Sequence, residues 1–346
     1  MEQRSSTNFL LDQKCINATY LQIMALGLRI GFHVSISGGI SNSVDNALKE
    51  DCTAFQIFSR NPRGWAAKPL DNEDVLLFKN KLAGRLDRND STKSTQAKTH
   101  ANGSGKKGAN ERSKIDRNAI FVHMPYLPNL SSPNKIIYDQ SVQVLIGELN
   151  RCDALAIPYL VVHLGSHQGE GIKKGVEQLV YACSHAIEST SSENNVSILL
   201  ENSAGQKNTV ASDFAELRII LDKLYDKNPS SKKNRFGVCL DTCHAFASGY
   251  DLSTKEAVDD TMDKFKSQVG LKYLKLIHLN DSRDKLFSRR DRHEHVGLGE
   301  IGTEGFNAFL KHKSHVNTPL IMETPMDNRR SNSDNLEFVK AIIDSP

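Results

Sequence analysis

Eight short runs of apolar and β-branched residues recur along the chain, and amphipathic segments separate them. The runs lie at 28–34, 53–59, 119–124, 159–165, 196–202, 236–241, 274–280 and 319–324. In the segments between them, apolar residues recur at three- and four-residue spacing, which predicts helices; the clearest are 43–50, 138–155 and 173–190. Near-continuous apolar strands that alternate with helices predict a parallel sheet that is buried on both faces.

The number of strand–helix units decides between two α/β architectures. Eight units predict a (β/α)8 TIM barrel that forms a single domain, with a metal site at its C-terminal mouth. A doubly wound open sheet is the alternative, but it usually has fewer repeats, and the turn after the first strand, "SISGG", lacks the spacing of a dinucleotide-binding turn. We therefore expect an N-terminal extension at 1–28 and a barrel domain at 29–346.

A polar stretch at 85–118 interrupts the pattern between the second and third strands. It contains nine Lys/Arg and four Asp/Glu, a net charge of +5, so the rest of the chain carries −2 of the total of +3. Because it has almost no large apolar residues, it cannot bury enough surface to order itself. We interpret it as a disordered, solvated insertion and favour this interpretation over an electrostatic tether for nucleic acid.

The chain ends and the cysteines indicate an intracellular protein. The N-terminus lacks the features of a secretory signal, although a weak organelle presequence and a start at Met24 stay open. No apolar run reaches the length of about 18 residues that a membrane span needs. The six cysteines form no CxxC pair and read as reduced core thiols. We expect the cytoplasm or nucleoid, or the nucleus or an organelle if the cell is eukaryotic.

The strand ends carry the residues that suggest chemistry. Seven of the eight predicted strands end in a side chain that can bind a metal or move a proton: His33, His123, His163, Glu201, Asp241, His278 and Glu323. A single buried histidine is more often a core residue with its hydrogen bonds made than a metal ligand. In a barrel, however, all these ends meet at one mouth, where active sites are built, and buried carboxylates are rare unless they are paired or bind a metal.

Two clusters in loops extend this set. The stretch "CLDTCHAF" (239–246) places His244 one helical turn beyond Asp241, and "DRH" places Asp291 and His293 on one side of an extended loop. Imidazoles and carboxylates suit zinc or manganese with open positions better than a closed thiolate site. Cys239 fits a barrel-core thiol, and a Cys243 nucleophile beside His244 stays open as an alternative.

Several long motifs resemble those of one known family. They are "GFHVSISGG", "AFQIFSRNPRGW", "FVHMPYLPNL", "VVHLGSHQG", "ILLENSAGQ", "GVCLDTCHAFASGYDL", "LIHLNDSRD", "DRHEHVGLGEIG" and "PLIMETP". In this order and over residues 31 to 325, the chain resembles the endonuclease IV family of apurinic/apyrimidinic (AP) endonucleases. The extension, the insertion and the C-terminal tail fall outside the resemblance.

The resemblance implies a (β/α)8 barrel with three Zn²⁺ ions. Position by position, it assigns His123 and His163 to the first zinc, and Glu201 as a bridge between the first and second. It assigns Asp241, His278 and Glu323 to the second site, and His244, Asp291 and His293 to the third. His33 would line the mouth, and Glu294 and His295 would only support the ligands. Mn²⁺ is compatible with one of the positions.

The activity implied by the resemblance is base excision repair of damaged double-stranded DNA. A hydroxide that bridges two zinc ions would attack the phosphodiester 5′ to an abasic site, leaving a 3′-hydroxyl and a 5′-deoxyribose phosphate. Glu201 and Glu323 are assigned as catalytic, and Arg63, Tyr126 and Leu127 as DNA contacts. We expect a monomer that needs no protein partner and no membrane.

Two other functions compete with this interpretation. A sugar isomerase or epimerase on a similar barrel also uses strand-end His, Asp and Glu around one or two divalent metals, but it needs neither the Asp291–His293 pair nor the loops "RNPRGW" and "MPYLPNL". A non-catalytic DNA-binding module would not need a full set of nine ligands.

Overall fold

The structure is a computed structural model that describes residues 27–84, 115–229 and 235–345. Eight parallel strands form the main sheet: β1 (Ile30–Phe32), β2 (Phe55–Phe58), β3 (Ile120–His123), β4 (Tyr159–His163), β5 (Ser197–Glu201), β6 (Phe236–Asp241), β7 (Leu274–His278) and β10 (Leu320–Met322). They lie in the order β1-β10-β7-β6-β5-β4-β3-β2. Two short strands, β8 (Asp281–Ser282) and β9 (His293–Glu294), form a separate antiparallel hairpin.

The two ends of this sheet meet, so that the sheet closes into a barrel. Strands β1 and β2 are joined by a parallel bridge between His33 and Gln56. The backbone N–H of Val34 donates to the Gln56 carbonyl at 2.8 Å, and the N–H of Ala54 donates to the Ile30 carbonyl at 3.1 Å. Backbone hydrogen bonds therefore hold the seam between β1 and β2 at both ends, near the start of the strands and near the C-terminal mouth.

Helices follow the strands and cover the outside of the barrel. In the described ranges they are α1 (Asn42–Lys49), α2 (Asn72–Leu82), α3 (Lys135–Leu155), α4 (Ile172–Glu188), α5 (Phe214–Lys227), α6 (Thr242–Ser248), α7 (Lys255–Gln268), α8 (Gly302–Leu310) and α9 (Asn332–Asp344). Several begin at a side-chain cap, such as Asn134 before α3 and Thr254 before α7, which satisfies backbone N–H groups that have no partner inside the helix.

The hydrophobic core has two layers. The inner layer fills the barrel with apolar side chains from the strands and from the residues just before them: Ala54, Ala119, Phe121, Val161, Leu199, Cys239, Leu276 and Ile321. The outer layer lies between the sheet and the helices. Because consecutive strand residues point to opposite faces, the near-continuous apolar runs of the sequence supply both layers.

The (β/α)8 fold that the strand pattern predicts is confirmed, with a difference at one boundary. Residues 1–26 and 85–114 lie outside the described residues, as does most of the predicted extension and insertion. Residues 115–118 do not belong to a disordered insertion, since Ile115 is buried and Asp116 caps a short 3₁₀ turn that leads into β3. Among the described residues, no helix is long and apolar enough to cross a membrane.

Candidate metal centre

The strand ends bring the predicted side chains together at the C-terminal mouth. His123, His163, Glu201, Asp241 and His278 are the last residues of β3 to β7 in turn, and His33 and Glu323 directly follow β1 and β10. Asp241 also caps α6, because its Oδ1 accepts the backbone N–H of His244 at 2.7 Å. Asp291 and His293 reach the same place on the β8–β9 hairpin.

Glu201 lies at the centre of this arrangement. Its Oε2 lies 3.2 Å from His123 Nε2 and 3.3 Å from His163 Nε2. Its Oε1 lies 3.1 Å from His278 Nδ1 and 3.4 Å from His244 Nδ1. One carboxylate therefore contacts four imidazoles that come from four different strands or helices, as a bridging ligand would.

Within the described residues, five sets of three side chains place their ligand atoms within 4.8 Å of one another. Three of these sets share no residue and account for all nine predicted ligands. We call them the first group (His123, His163 and Glu201), the second group (Asp241, His278 and Glu323) and the third group (His244, Asp291 and His293). A fourth set, Glu201 with Asp241 and His244, links the three groups to one another.

Backbone carbonyls fix which nitrogen of each ring faces the groups. Nδ1–H of His123 donates to the Met124 carbonyl at 2.6 Å, that of His244 to the Asn202 carbonyl at 2.9 Å, and that of His293 to the Glu323 carbonyl at 3.1 Å. A histidine that binds a metal almost always donates its other N–H in this way, which sets the tautomer. Nε2 of each ring is therefore left free to face the carboxylates.

The charges of the centre favour bound cations. Burial opposes protonation of His163, but Glu201 outweighs it and raises the pKa of His163. Burial likewise opposes protonation of His293, but Asp291 raises its pKa to about 9. The imidazoles act in return: although burial alone would raise the pKa of Glu201, the charges of His163 and His278 hold it well below its usual value. Protons or metal ions can meet this demand for positive charge.

The surroundings of two ring nitrogens show whether the third group could accommodate a metal. His244 Nε2 and His293 Nε2 are buried and make no hydrogen bond within the described part of the chain. Both nevertheless face Asp291 Oδ1, at 3.1 and 3.3 Å. The donor set is two imidazole nitrogens and one carboxylate oxygen, which suits Zn²⁺. The other nitrogen of each ring already donates a hydrogen bond to a backbone carbonyl. The residues present therefore fit the metal that the resemblance implies.

The two cysteines near the centre have different surroundings. Cys239 packs in the inner barrel layer, as its position in the strand predicts, and burial raises the pKa of its thiol to about 12. Cys243 Sγ lies 3.6 Å from the Arg292 carbonyl, and burial raises its pKa as well. A thiol that stays protonated is a poor nucleophile, which disfavours the Cys243 alternative. All five cysteines in the described ranges are free and buried.

A cavity of about 310 Å³ opens over the centre. Side chains from all three groups line it, and its apolar lining includes Phe32, Phe58, Tyr126 and Met322. Tyr126 is 57% exposed and Leu127 is 39% exposed. The N–H of Tyr126 donates to the Pro62 carbonyl at 3.1 Å, so the loop of Tyr126 and Leu127 is joined to the loop of exposed Arg63.

A buried ion cluster lies beneath the Arg63 loop. Arg60 donates to the carbonyls of Gly64 and Trp65, and its guanidinium lies 3.9 Å from Glu148 on α3. Glu148 is fully buried and accepts the Ser59 hydroxyl at 2.6 Å. Burial raises the pKa of Glu148. The cluster ties the loop to the body of the barrel.

Three residues that hydrogen-bond to the predicted ligands were not identified from the sequence. Asn280 Nδ2 donates to Asp241 Oδ2 at 2.7 Å, and its Oδ1 accepts the Glu323 N–H at 2.8 Å. Asn202 Oδ1 accepts the Asp241 N–H at 2.7 Å. Gln56 contacts Glu323 and His278. Each is a polar residue within or just after an apolar strand run, which is the signal that was available. Glu294 and His295 instead contact Arg329 and Asp327.

Comparisons with known proteins agree with the fold. A protein-family model described as "Xylose isomerase-like TIM barrel" matches residues 44–342. Among solved structures, the crystal structure of endonuclease IV from Thermus thermophilus is 29% identical, with a TM-score of 0.71, and the match covers 91% of this chain and 98% of that one. A D-tagatose 3-epimerase-like protein, 15% identical with a TM-score of 0.61, shares the fold alone.

The curated relatives are more similar still. "Probable endonuclease 4" of Cenarchaeum symbiosum is 47% identical over 315 residues, which cover 91% of this chain and 99% of the relative. The protein of the same name from Nitrosopumilus maritimus is 45% identical and covers 90% of this chain and 99% of the relative. The chain therefore belongs to the endonuclease IV family of AP endonucleases, and it is a DNA-cleaving hydrolase.

Proposed function

We propose that the chain hydrolyses the phosphodiester 5′ to an abasic site in duplex DNA and leaves a 3′-hydroxyl and a 5′-deoxyribose phosphate. The observation that carries this proposal is the assembly of nine metal-binding side chains into three adjoining groups at one barrel mouth, in a member of the endonuclease IV family. The same arrangement supports Zn²⁺ as the metal, one ion for each group, with Mn²⁺ compatible at one position.

The three groups would hold the metal through five imidazoles and four carboxylates. When bound, the metal supplies Lewis-acid stabilisation of the phosphate and lowers the pKa of water. The protein contributes a fixed frame, since backbone carbonyls orient His123, His244 and His293 before any ligand arrives. Such preorganised groups lower the barrier because they need not rearrange as charge develops.

Glu201 and Glu323 would be the catalytic carboxylates. Glu201 is 1% exposed in its side chain and joins the first group to the others, so it would keep their spacing fixed. Glu323 belongs to the second group, and its side chain is 20% exposed and lines the cavity where substrate would bind. Burial opposes ionisation of Glu323, but the charge of His278 holds its pKa well below the usual range. It is therefore ionised, which is the form in which a carboxylate binds a cation and stabilises positive charge.

Damaged duplex DNA would bind along the mouth as the partner of a single protein chain. Tyr126 and Leu127 are exposed beside the cavity, and they can fill the gap that a missing base leaves in the duplex. Arg63 lies on the joined loop and would pair with a phosphate. Extruding an abasic nucleotide costs less than flipping a normal one, because no base has to be unstacked.

A divalent-metal sugar isomerase or epimerase, the alternative suggested by the strand-end residues, is disfavoured. Likeness to the epimerase-like structures extends to the fold alone. A site with one or two metals does not need the third group, which the β8–β9 hairpin brings to the mouth at Asp291 and His293.

Incision of a defined substrate tests the proposal. Duplex DNA with one tetrahydrofuran abasic analogue, which cannot undergo β-elimination, is incubated with purified protein before metal removal, after chelation and after Zn²⁺ is returned. We expect cutting that is lost on chelation, restored by zinc, and that leaves a 3′-hydroxyl which a polymerase extends. Absence of cutting by protein that retains its metal would refute the repair function and favour a sugar substrate.

A matched pair of variants links the cutting to the centre. Glu201→Gln keeps the side-chain size but removes the central negative charge, so we expect incision to fall at least about 100-fold, in line with the loss of a metal ligand. Glu188→Gln makes the same chemical change at an exposed position on α4 and is expected to cut like the wild type. Equal activity of the two variants would remove Glu201 from the mechanism.

A further inference from the structure

Gln56 is a polar residue in the middle of an apolar strand. Its side chain is fully buried, although it is flanked in β2 by Phe55 and Ile57. Its carbonyl accepts the N–H of Val34, so the residue also belongs to the seam that closes the barrel. A buried amide is costly unless its hydrogen bonds are made, so the partners of Gln56 need to be accounted for.

The amide of Gln56 contacts three side chains at the metal centre. Its Nε2 lies 2.7 Å from Glu323 Oε1 and 3.0 Å from His33 Nδ1. Its Oε1 lies 2.9 Å from His278 Nε2. Two of these partners, Glu323 and His278, belong to the second group, and they come from the ends of β10 and β7, which lie across β1 from Gln56.

The partners determine the orientation of the amide. An ionised carboxylate can only accept, so the atom of Gln56 that faces Glu323 is the NH₂ group. Its second hydrogen then points to His33 Nδ1, which accepts it. The carbonyl oxygen is left for His278, whose Nε2 therefore carries the proton. Both NH₂ hydrogens and the carbonyl oxygen of the Gln56 amide therefore have a hydrogen-bond partner.

This orientation prepares His278 for a metal. With Nε2–H held by Gln56, Nδ1 is the nitrogen of His278 that can give up its proton to a metal. That atom faces Glu201 Oε1 at 3.1 Å, Glu323 Oε2 at 3.4 Å and Asp241 Oδ2 at 3.8 Å. A neutral imidazole nitrogen among carboxylates is the form in which histidine binds Zn²⁺.

We propose that Gln56 is a positioning residue for the second group: its amide holds the ring and tautomer of His278 and the carboxylate of Glu323 in the arrangement that binds the metal. The backbone does this for the other three oriented rings, through the carbonyls of Met124, Asn202 and Glu323. At His278 a side chain takes that place. The inference rests on the proposed metal-dependent function and specifies how one of its sites is built.

Metal content and metal release test the role of Gln56. Gln56→Met fills the same volume but makes none of the three hydrogen bonds, so the second group is expected to bind Zn²⁺ about 10–100-fold more weakly, the usual cost of losing such a partner. Zinc and manganese per chain are counted on the purified holoprotein by mass spectrometry. Release to a chelator is followed with a zinc-sensitive dye. We expect one metal per chain to be lost or to leave faster, while the other metals stay.

Thr53→Val is the matched control at the same seam. The Thr53 hydroxyl donates to the Leu28 carbonyl at 2.9 Å and accepts the Ile30 N–H at 2.9 Å, at the end of β2 away from the centre. Thr53 is buried like Gln56, and valine keeps its shape. The control should lower the stability of the seam but leave metal content and release unchanged. Loss of one metal in both variants would mean that the seam, and not the amide, holds the site.

The outcomes separate this inference from the proposed function. Wild-type protein that binds no zinc and cuts no abasic duplex would refute the proposed function itself. Wild-type protein that binds and cuts, together with a Gln56→Met variant of unchanged metal content and release rate, would overturn the inference alone. If Gln56→Met is insoluble, Gln56→Glu gives the same comparison: it keeps the acceptor for His278 but places a second carboxylate against Glu323, so metal release should still be faster.

Discussion

Asp281 offers the sharpest test of how the third group is held. It is fully buried in β8, and its carboxylate accepts five backbone N–H groups. Oδ1 accepts those of Ser282 at 2.7 Å and Ile301 at 2.9 Å. Oδ2 accepts those of Gly297 at 3.0 Å, Gly299 at 2.8 Å and Gly302 at 3.3 Å. One side chain thus fastens the glycine-rich loop that follows the β8–β9 hairpin.

Glycine is required where this loop meets Asp281. A Cβ at Gly299 would lie 2.3 Å from the Ser282 carbonyl oxygen and 2.6 Å from Asp281 Oδ1. The backbone can approach the carboxylate this closely only without a side chain. The register of the hairpin pairs Asp281 with Glu294 and Ser282 with His293, so the position of the loop determines the position of the third group.

The cost of removing the carboxylate follows from the two amides that cannot reach water. Ser282 and Ile301 are both buried, and a buried N–H left without its acceptor costs about 1–3 kcal/mol. For Asp281→Ala we therefore expect unfolding free energy to fall by about 2–6 kcal/mol. Asp281→Asn keeps one oxygen for these two amides but turns its NH₂ toward the glycine amides. Its free energy of unfolding should therefore lie between those of the wild type and Asp281→Ala.

Urea unfolding of the holoprotein, with metal per chain measured on the same samples, is the assay. Glu304→Ala, at an exposed position in the first turn of α8, serves as the control and should stay within about 0.5 kcal/mol of the wild type. We expect Asp281→Ala to lose stability and to bind the metal of the third group more weakly. A change below about 0.5 kcal/mol with full metal content would refute the reasoning.

Four further outcomes follow from the same geometry. Tyr126→Ala should weaken binding to abasic duplex by about 1–3 kcal/mol, the usual value of an aromatic stacking contact, with unchanged metal content; fluorescence anisotropy measures it. Arg60→Ala should free the Arg63 loop and weaken the same binding about tenfold, or about 1.4 kcal/mol, without changing binding to metal. Cys243→Ala should incise abasic duplex like the wild type; a variant that no longer incises would support a thiol nucleophile. Because the folded-state pKa of His293 is raised to about 9, its contribution to the stability of metal-free protein is full below about pH 6.5 and is lost as pH rises through 9, which urea midpoints across this range will show.

The barrel could be predicted from the sequence because its signal is local. Each buried parallel strand is a run of apolar residues, and each covering helix repeats its apolar residues at three- and four-residue spacing, so short windows are sufficient. The boundary of the polar insertion was less exact: Ile115 is buried, although the polarity of its neighbours in the sequence placed it within the insertion. One apolar residue in a polar stretch is too little pattern to recognise.

The ligand types could also be predicted from the sequence, because the parallel topology brings all strand ends to one mouth. Once eight strands were recognised, a histidine or carboxylate at each end had to lie near the others, whatever the loops do. For this reason His123, His163, Glu201, Asp241 and His278 were found without distances. The resemblance added an expectation of which residues would share a metal.

Only the tertiary structure decided how the ligands are held. Gln56 and His278 are 222 residues apart, and Glu323 is more distant still from Gln56, yet one amide joins them. Asp281 likewise meets amides up to 21 residues away. Hydrogen bonds depend on distances of about 3 Å and on angles, and these arise only when the barrel closes at the seam between β1 and β2. Residue type along the chain determines which groups reach the mouth, and closure of the barrel determines which atoms of those groups meet.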